Sequence, residues 1–193
     1  TVVVVSLKLG RRPSDAHPVF QVVRRQRITG HSKGVLAVQF LPKTKLLLSA
    51  GIDRSLRIWQ LGSSEPQLVR SLENHTETIY ALAEQPGGEG ALPVYVSIGE
   101  DRTVRLWQPT IGRMMRFARL ENAIPLSARW QADGSRIVVG CDDGHVRVID
   151  PDSTEVVKDQ PVQSGWCYCL AMHPKTGEFI VGGPDGLKKF SSN

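Results

Sequence analysis

Residues 46–61, LLLSAGIDRSLRIWQL, align without a gap on residues 94–109, VYVSIGEDRTVRLWQP. A third copy, RIVVGCDDGHVRVIDP at 136–151, keeps the aspartate as Asp143 and puts Ile149 where Trp59 and Trp107 stand. A fourth, EFIVGGPDGLKKF at 178–190, is one residue shorter and carries Asp185 and Phe190. From Trp59 the equivalent positions follow at intervals of 48, 42 and 41 residues. A repeat of a little over forty residues is the strongest constraint the chain carries, because each copy must be one supersecondary unit that buries its apolar surface against its neighbours.

Within a unit the apolar residues alternate or run for four to six positions between Gly, Pro, Asp or Asn, which is the pattern of strands joined by tight turns. The first unit supplies 35–40, 45–50, 55–60 and 67–72, and the second 78–83, 93–98, 103–108 and 113–120. The third supplies 126–130, 136–140, 145–149 and 154–158, and the fourth only 166–171, 178–182 and 186–190. Ahead of them, 2–7 reads as a third strand and 19–28 as a fourth. The chain therefore divides into outer strands of a preceding or closing unit at 1–28 and units at 30–73, 74–120, 121–160 and 161–193, the last lacking its outer strand. Repeat and sheet boundaries fall out of phase, so a strand from one end can pair onto the incomplete sheet at the other and hide two open edges. Residues 84–93, EQPGGEGALP, are an insertion between the first two strands of the second unit. Lengthening a loop is entropically mild, about 0.6 kcal/mol per doubling, so the insertion requires no functional cause.

The polar residues repeat too. His31, Ser49, Asp53 and Trp59 in the first unit correspond to His75, Ser97, Asp101 and Trp107 in the second, with identical spacing from serine to aspartate to tryptophan. A buried aspartate accepts from imidazole and from turn amides, the imidazole bonds the serine hydroxyl, and the hydroxyl accepts the indole N–H. Ser, His and Asp together are also the parts of a nucleophilic triad. A triad has no need to occur twice, and its nucleophile must be exposed, whereas these serines end buried strands with a tryptophan at fixed distance. The reading is a structural hydrogen-bond network. In the third unit Asn122 falls where the histidine is expected and Val139 replaces the serine. The fourth has Gly182 and Phe190 instead of serine and tryptophan, so both units are expected to rely on apolar packing and the Asp143 and Asp185 turns.

Hydrophobic content of 40% with 22% charged residues fits an ordered chain. No run approaches eighteen apolar residues, and the leading TVVVVSLKLG lacks the basic start of a signal peptide. Cys141, Cys167 and Cys169 leave at least one thiol unpaired, which points to a reducing, cytoplasmic setting. No zinc spacing or phosphate-binding glycine loop occurs, so neither metal nor cofactor is expected. The net charge of +5 comes largely from arginines at 11–12, 24–27 and 113–119. The last two clusters fall on fourth strands two units apart, so no continuous nucleic-acid surface is expected.

These residues resemble the WD40 repeat family, all-β propellers built from blades of four antiparallel strands. Gly30-His31 matches the family's glycine-histidine pair and Asn74-His75 matches it in part. The tryptophan-aspartate dipeptide stands as Trp59-Gln60 and Trp107-Gln108, and only the aspartate survives in Ile149-Asp150. The resemblance covers about residues 19–190 and is most specific from 30 to 110. It implies a non-catalytic interaction scaffold, with Lys33, Arg54, Glu77, Arg102 and Asp142 displayed around one loop rim for protein or peptide partners. Alternatives are a non-catalytic domain serving a larger enzyme and a basic module associated with nucleic acid. About four blades leave a ring of seven or eight open. It is completed either by a second copy in a homodimer of eight blades or by a missing part of a longer chain.

Overall fold

The structure, a computed structural model, describes residues 1–10, 19–62, 65–87, 92–173 and 176–191, with no side-chain placement for 7–10 and 19–21. Three antiparallel sheets have four strands each, in an order that follows the chain. The first contains β3 (Val35–Phe40), β4 (Leu46–Gly51), β5 (Leu56–Gln60) and β6 (Gln67–Leu72). The second contains β7 (Ile79–Glu84), β8 (Tyr95–Gly99), β9 (Thr103–Gln108) and β10 (Arg113–Arg119). The third contains β11 (Pro125–Trp130), β12 (Ile137–Cys141), β13 (His145–Ile149) and β14 (Val156–Pro161). A fourth sheet has three strands, β15 (Cys169–Met172), β16 (Phe179–Gly183) and β17 (Gly186–Phe190), and a leading ribbon pairs β1 (Val2–Gly10) with β2 (Val19–Ile28).

Strict succession of paired strands follows from the short turns between them, and stacking follows from apolar residues on both faces of the middle strands. Every residue of β8 and of β12 is buried. Leu48, Ala50, Leu56 and Ile58 of the first sheet pack against Ile79, Leu82, Tyr95 and Trp107 of the second. The second sheet's other face joins Ala128, Trp130, Ile137, Val139 and Ile149 of the third. Val138, Val146 and Val148 then meet Leu170, Phe179, Val181 and Phe190 of the fourth. First strands therefore neighbour one another in chain order, β3 beside β7, β7 beside β11, and β11 beside β15. Each of the first three sheets has a bulge at the start of its first strand, between Val35 and Ala37, Ile79 and Ala81, and Pro125 and Ser127. Opposite the first of these, a Cβ on Gly51 would stand 2.1 Å from the Gly34 carbonyl oxygen, so glycine is required where loop and strand backbones touch.

The closing arrangement expected for the chain ends is absent among the described residues. β2 pairs with β1 instead of β17, and Val2, Val4 and Ile28 pack on Leu47, Trp59 and Leu61, which fixes the ribbon beside the first sheet. The expected strand at 166–171 begins only at Cys169, because the preceding residues are drawn into a loop tied to the turn at Asp185. Residues 88–91 of the insertion lie outside the described residues.

Candidate functional site

In each unit the loop before the first strand meets the turn between the second and third strands, and these contacts define one rim. In the second unit His75 Nδ1 donates to Asp101 Oδ2 at 2.9 Å, and His75 Nε2 lies 2.7 Å from Ser97 Oγ. Trp107 Nε1 donates to the same Oγ at 2.7 Å. Asp101 also accepts from the Thr76 and Thr103 amides, both at 3.1 Å, and from the Thr103 hydroxyl at 2.7 Å. The first unit repeats this set: His31 to Asp53 at 2.9 Å, His31 to Ser49 at 2.6 Å, and Trp59 to Ser49 at 2.7 Å. All eight side chains named from the sequence thus fall into two hydrogen-bonded chains.

Burial depresses the His75 pKa, against the pull of Asp101. The neutral ring then donates from Nδ1 to the carboxylate and accepts the serine hydroxyl at Nε2. Burial alone would raise the Asp101 carboxyl, but bonds from His75, Thr103 and the Thr76 amide outweigh it and hold that group well below the usual carboxylate range. Asp53 is lowered by the same balance, with burial opposed by His31, Ser55 and the Ser32 amide. Ser97 and Ser49 have the hydrogen-bond partners of a nucleophile, yet both are fully buried and already accept an indole N–H. No substrate carbonyl can approach such an oxygen. The arrangement clamps loop to sheet.

The third and fourth units clamp the same junction with residues that the sequence reading missed. Leu120-Glu121-Asn122 aligns with Leu72-Glu73-Asn74, so Ala123, not Asn122, stands in the histidine's place. The aspartate's two tasks are then divided. Asp142 accepts the Ile124 amide at 2.7 Å, while Asp143 accepts Arg147 through two nitrogens at 3.1 and 2.6 Å. Burial would raise Asp143 and the Arg147 bonds lower it. In the fourth unit Gln163 takes the histidine's place. Its Nε2 donates to the Val181 and Gly186 carbonyls and its Oε1 accepts the Asp185 amide, while Asp185 accepts the Ser164 amide at 2.6 Å. A glutamine or an adjacent second aspartate at a repeat-equivalent position was the available signal.

The five rim residues separate into two groups. Arg54 and Arg102 occupy left-handed backbone, φ 66° and 60°, and donate to the Thr76 and Glu121 carbonyls of the following loops at 3.2 and 2.7 Å. Glycine holds the equivalent turn position in the third and fourth units, Gly144 at φ 81° and Gly186 at φ 83°. Asp142 caps its own loop. Lys33 and Glu77, two residues after the equivalent His31 and His75, are exposed at corresponding points with opposite charge. On the fourth unit's loop, Trp166 and Tyr168 are more than half exposed and meet edge to face with ring centroids 5.8 Å apart. The two arginine clusters lie on different sheets, and Arg116 is engaged by Asp152 and the Pro151 carbonyl. Among the described residues no group of three or more His, Cys, Asp or Glu is arranged to hold a metal ion, and no helix is long and apolar enough to cross a membrane.

Repeat period, sheet order and the paired clamps agree with comparisons to known proteins. The family model "WD domain, G-beta repeat" matches residues 22–60 and 66–108, and "Anaphase-promoting complex subunit 4 WD40 domain" matches 105–174. The chain belongs to the WD40 repeat family. It is 24% identical over 167 residues to probable coatomer subunit beta' of Schizosaccharomyces pombe, covering 86% of this chain and 20% of that protein. It is 32% identical over 165 residues to Coronin-7 of Mus musculus, covering 82% and 16% respectively. Similarity to THO complex subunit 3 of Arabidopsis thaliana is 21% over 211 residues, 87% of this chain and 66% of that protein. The chain thus spans a fifth or less of the first two relatives. WD40 domains generally serve as non-catalytic protein-interaction scaffolds, and this chain is a partial propeller whose ring is not closed.

Proposed function

We propose that the rim formed by the loops before β3, β7, β11 and β15 binds a protein or peptide partner, with no chemistry of its own. The observation that carries this reading is the clamp at every loop–turn junction, met by three different side-chain solutions. Loops fixed this way present side chains in constant positions, which lowers the ordering penalty of binding. Lys33 and Glu77 supply charges of both signs, and Trp166 and Tyr168 supply the large amphipathic surface on which binding energy concentrates. Mixed charge favours a polypeptide over a uniformly anionic polymer. Arg54 and Arg102 support the rim from within by holding each loop to the preceding turn. The partial ring acts as one part of a larger assembly in a cytoplasmic setting.

The test compares proteins captured from a cell extract by the chain and by a Lys33→Glu, Glu77→Lys, Trp166→Ala variant, quantified by mass spectrometry. All three side chains are exposed, so the variant retains its fold, checked by circular dichroism. A set of proteins held by the parent chain and lost by the variant is expected. Equal capture by both would overturn the reading.

A further inference from the structure

A cavity of about 360 Å³ lies between the second and third sheets, within the size range of small-ligand sites, about 300–1,000 Å³. Its walls come from β10, β13, β14 and residues 120–123, which join the two sheets. Both sheets are complete, so the space is a feature of their side chains.

The corresponding place one unit earlier shows which side chains open it. There the joining segment brings in His75, and the outer strand sets Met114 opposite Trp107 and Phe117 opposite Arg105. The Arg105 guanidinium stands over the Phe117 ring, 5.3 Å from its centroid, and Arg105 Nη1 donates to Met114 Sδ at 3.4 Å. In the third unit the same register sets Val156 opposite Ile149 and Asp159 opposite Arg147, and Ala123 takes the histidine's place. Three large side chains are thus exchanged for smaller ones, and Ala123, Val156, Asp159 and Arg147 all line the cavity.

Arg147 keeps its guanidinium but has lost the ring. Its Nη1 and Nη2 donate to Asp143 and its Nε donates to Asp159 at 3.1 Å, which holds the guanidinium plane in place. A guanidinium fixed in this way gives up little freedom when an aromatic face stacks on it. Leu120 and Ala123, 3% and 2% exposed, supply an apolar wall, and the exposed Arg119 and Glu121 bring charges of both signs to the lining.

We propose that this cavity receives an aromatic side chain of a partner polypeptide, which stacks on Arg147 as Phe117 stacks on Arg105 within the chain. The ring's negative face meets the delocalised cation. Charges of both signs beside an apolar wall suit a peptide segment around that ring and disfavour a uniformly charged polymer. Lys33, Glu77 and Trp166 do not line the cavity, so this site and the rim fail separately.

The experiment selects phage-displayed random peptides on the chain and discards those that also bind Asp159→Phe, a variant that gives the third unit the ring the second already has. Surviving peptides are expected to share one aromatic position, whose replacement by alanine weakens binding by about tenfold or more. Val156→Phe, at an exposed position of the same strand, fills the space by a second route and should weaken the same peptides by a similar factor. Asp159→Asn removes the charge without filling the space and should keep affinity within about threefold of the parent. Both phenylalanine variants should melt cooperatively, and the Lys33→Glu, Glu77→Lys, Trp166→Ala variant should bind the survivors as the parent does. The absence of survivors overturns the proposal, as do survivors without a shared aromatic residue and survivors indifferent to Val156→Phe. Loss of binding in the rim variant would move the peptides to the rim and overturn it as well.

Discussion

In the second sheet one imidazole ties the loop before β7 to the turn before β9, and every polar atom of the tie is out of water. In the third sheet Asp142 of the turn accepts the loop's Ile124 amide, while Asp143 of the same turn pairs with Arg147 of β13; Asp143 is 30% exposed, and Arg147 also reaches Asp159 at 3.1 Å. The packing around the two junctions is equally dense, since Ser97, Val139, Trp107 and Ile149 are all buried to within 1%. The difference lies in redundancy. Removing a partner from the closed network strands several buried groups at once, whereas removing one from the third unit leaves groups that reach solvent or another carboxylate.

Asp101→Ala breaks that contrast most severely. His75, the Thr76 and Thr103 amides, the Thr103 hydroxyl and nearby Arg105 lose their acceptor together, and a loss of about 3 kcal/mol is expected in denaturant unfolding. Asp143→Ala should lose about 1 kcal/mol, because Arg147 retains Asp159. Equal losses would show that the network adds nothing beyond a turn aspartate.

Exchanging the strand residue sharpens the comparison further. Ser97→Val fills the space but leaves His75 Nε2 and Trp107 Nε1 without partners, at about 2 kcal/mol. The reciprocal Val139→Ser puts a hydroxyl beside Ile149 and Ala123 with neither indole nor imidazole to meet it, at about 1 kcal/mol. If Val139→Ser were stabilising, the third junction would have to contain a polar partner that its apolar surroundings do not offer.

Repeat number, strand order and the first two clamps were legible in the sequence because they rest on identity at fixed spacing. The clamps of the third and fourth units were not, since their solutions share geometry and not residue type. Ala123 was obscured by Asn122 one position away, and Gln163 carries no chemical signature until the turn at Asp185 folds against it. The ribbon was legible as two strands. Its pairing was not, because pairing depends on which sheet Val2, Val4 and Ile28 find, and alternating valines fit many apolar faces.

Acid separates the two sheets by a smaller amount. His75 is depressed below the ordinary imidazole value of 6.5, and Asp101 below the ordinary carboxyl value of 3.8. In both cases the unfolded chain binds the proton first as pH falls, so stability is full above the unfolded value and declines below it. The His75 contribution is lost from about pH 6.5 downward and the Asp101 contribution only from about pH 3.8 downward. Melting temperature measured between pH 7.5 and pH 5 should therefore fall less in His75→Gln than in the parent chain. Glutamine is apt there because Gln163 serves the equivalent junction without a proton to gain. Parallel profiles would remove His75 from the acid response.

The smallest expected effect concerns the turn arginines, and it separates support of the rim from recognition by it. Arg102 holds a left-handed conformation, φ 60°, that the third and fourth units give to glycine. Arg102→Gly relieves about 1 kcal/mol of backbone strain and removes the bond to the Glu121 carbonyl, also about 1 kcal/mol. The two nearly cancel, so unfolding free energy should move by no more than about 0.5 kcal/mol. The junction itself should loosen, seen as faster amide exchange at residues 121–124 with the rest of the sheet unchanged. Partner capture that survives Arg102→Gly but fails after Lys33→Glu would place recognition on the outward charges and leave the arginine as a brace. Capture lost with Arg102→Gly while exchange at 121–124 stays at the parent rate would instead make the guanidinium itself a contact.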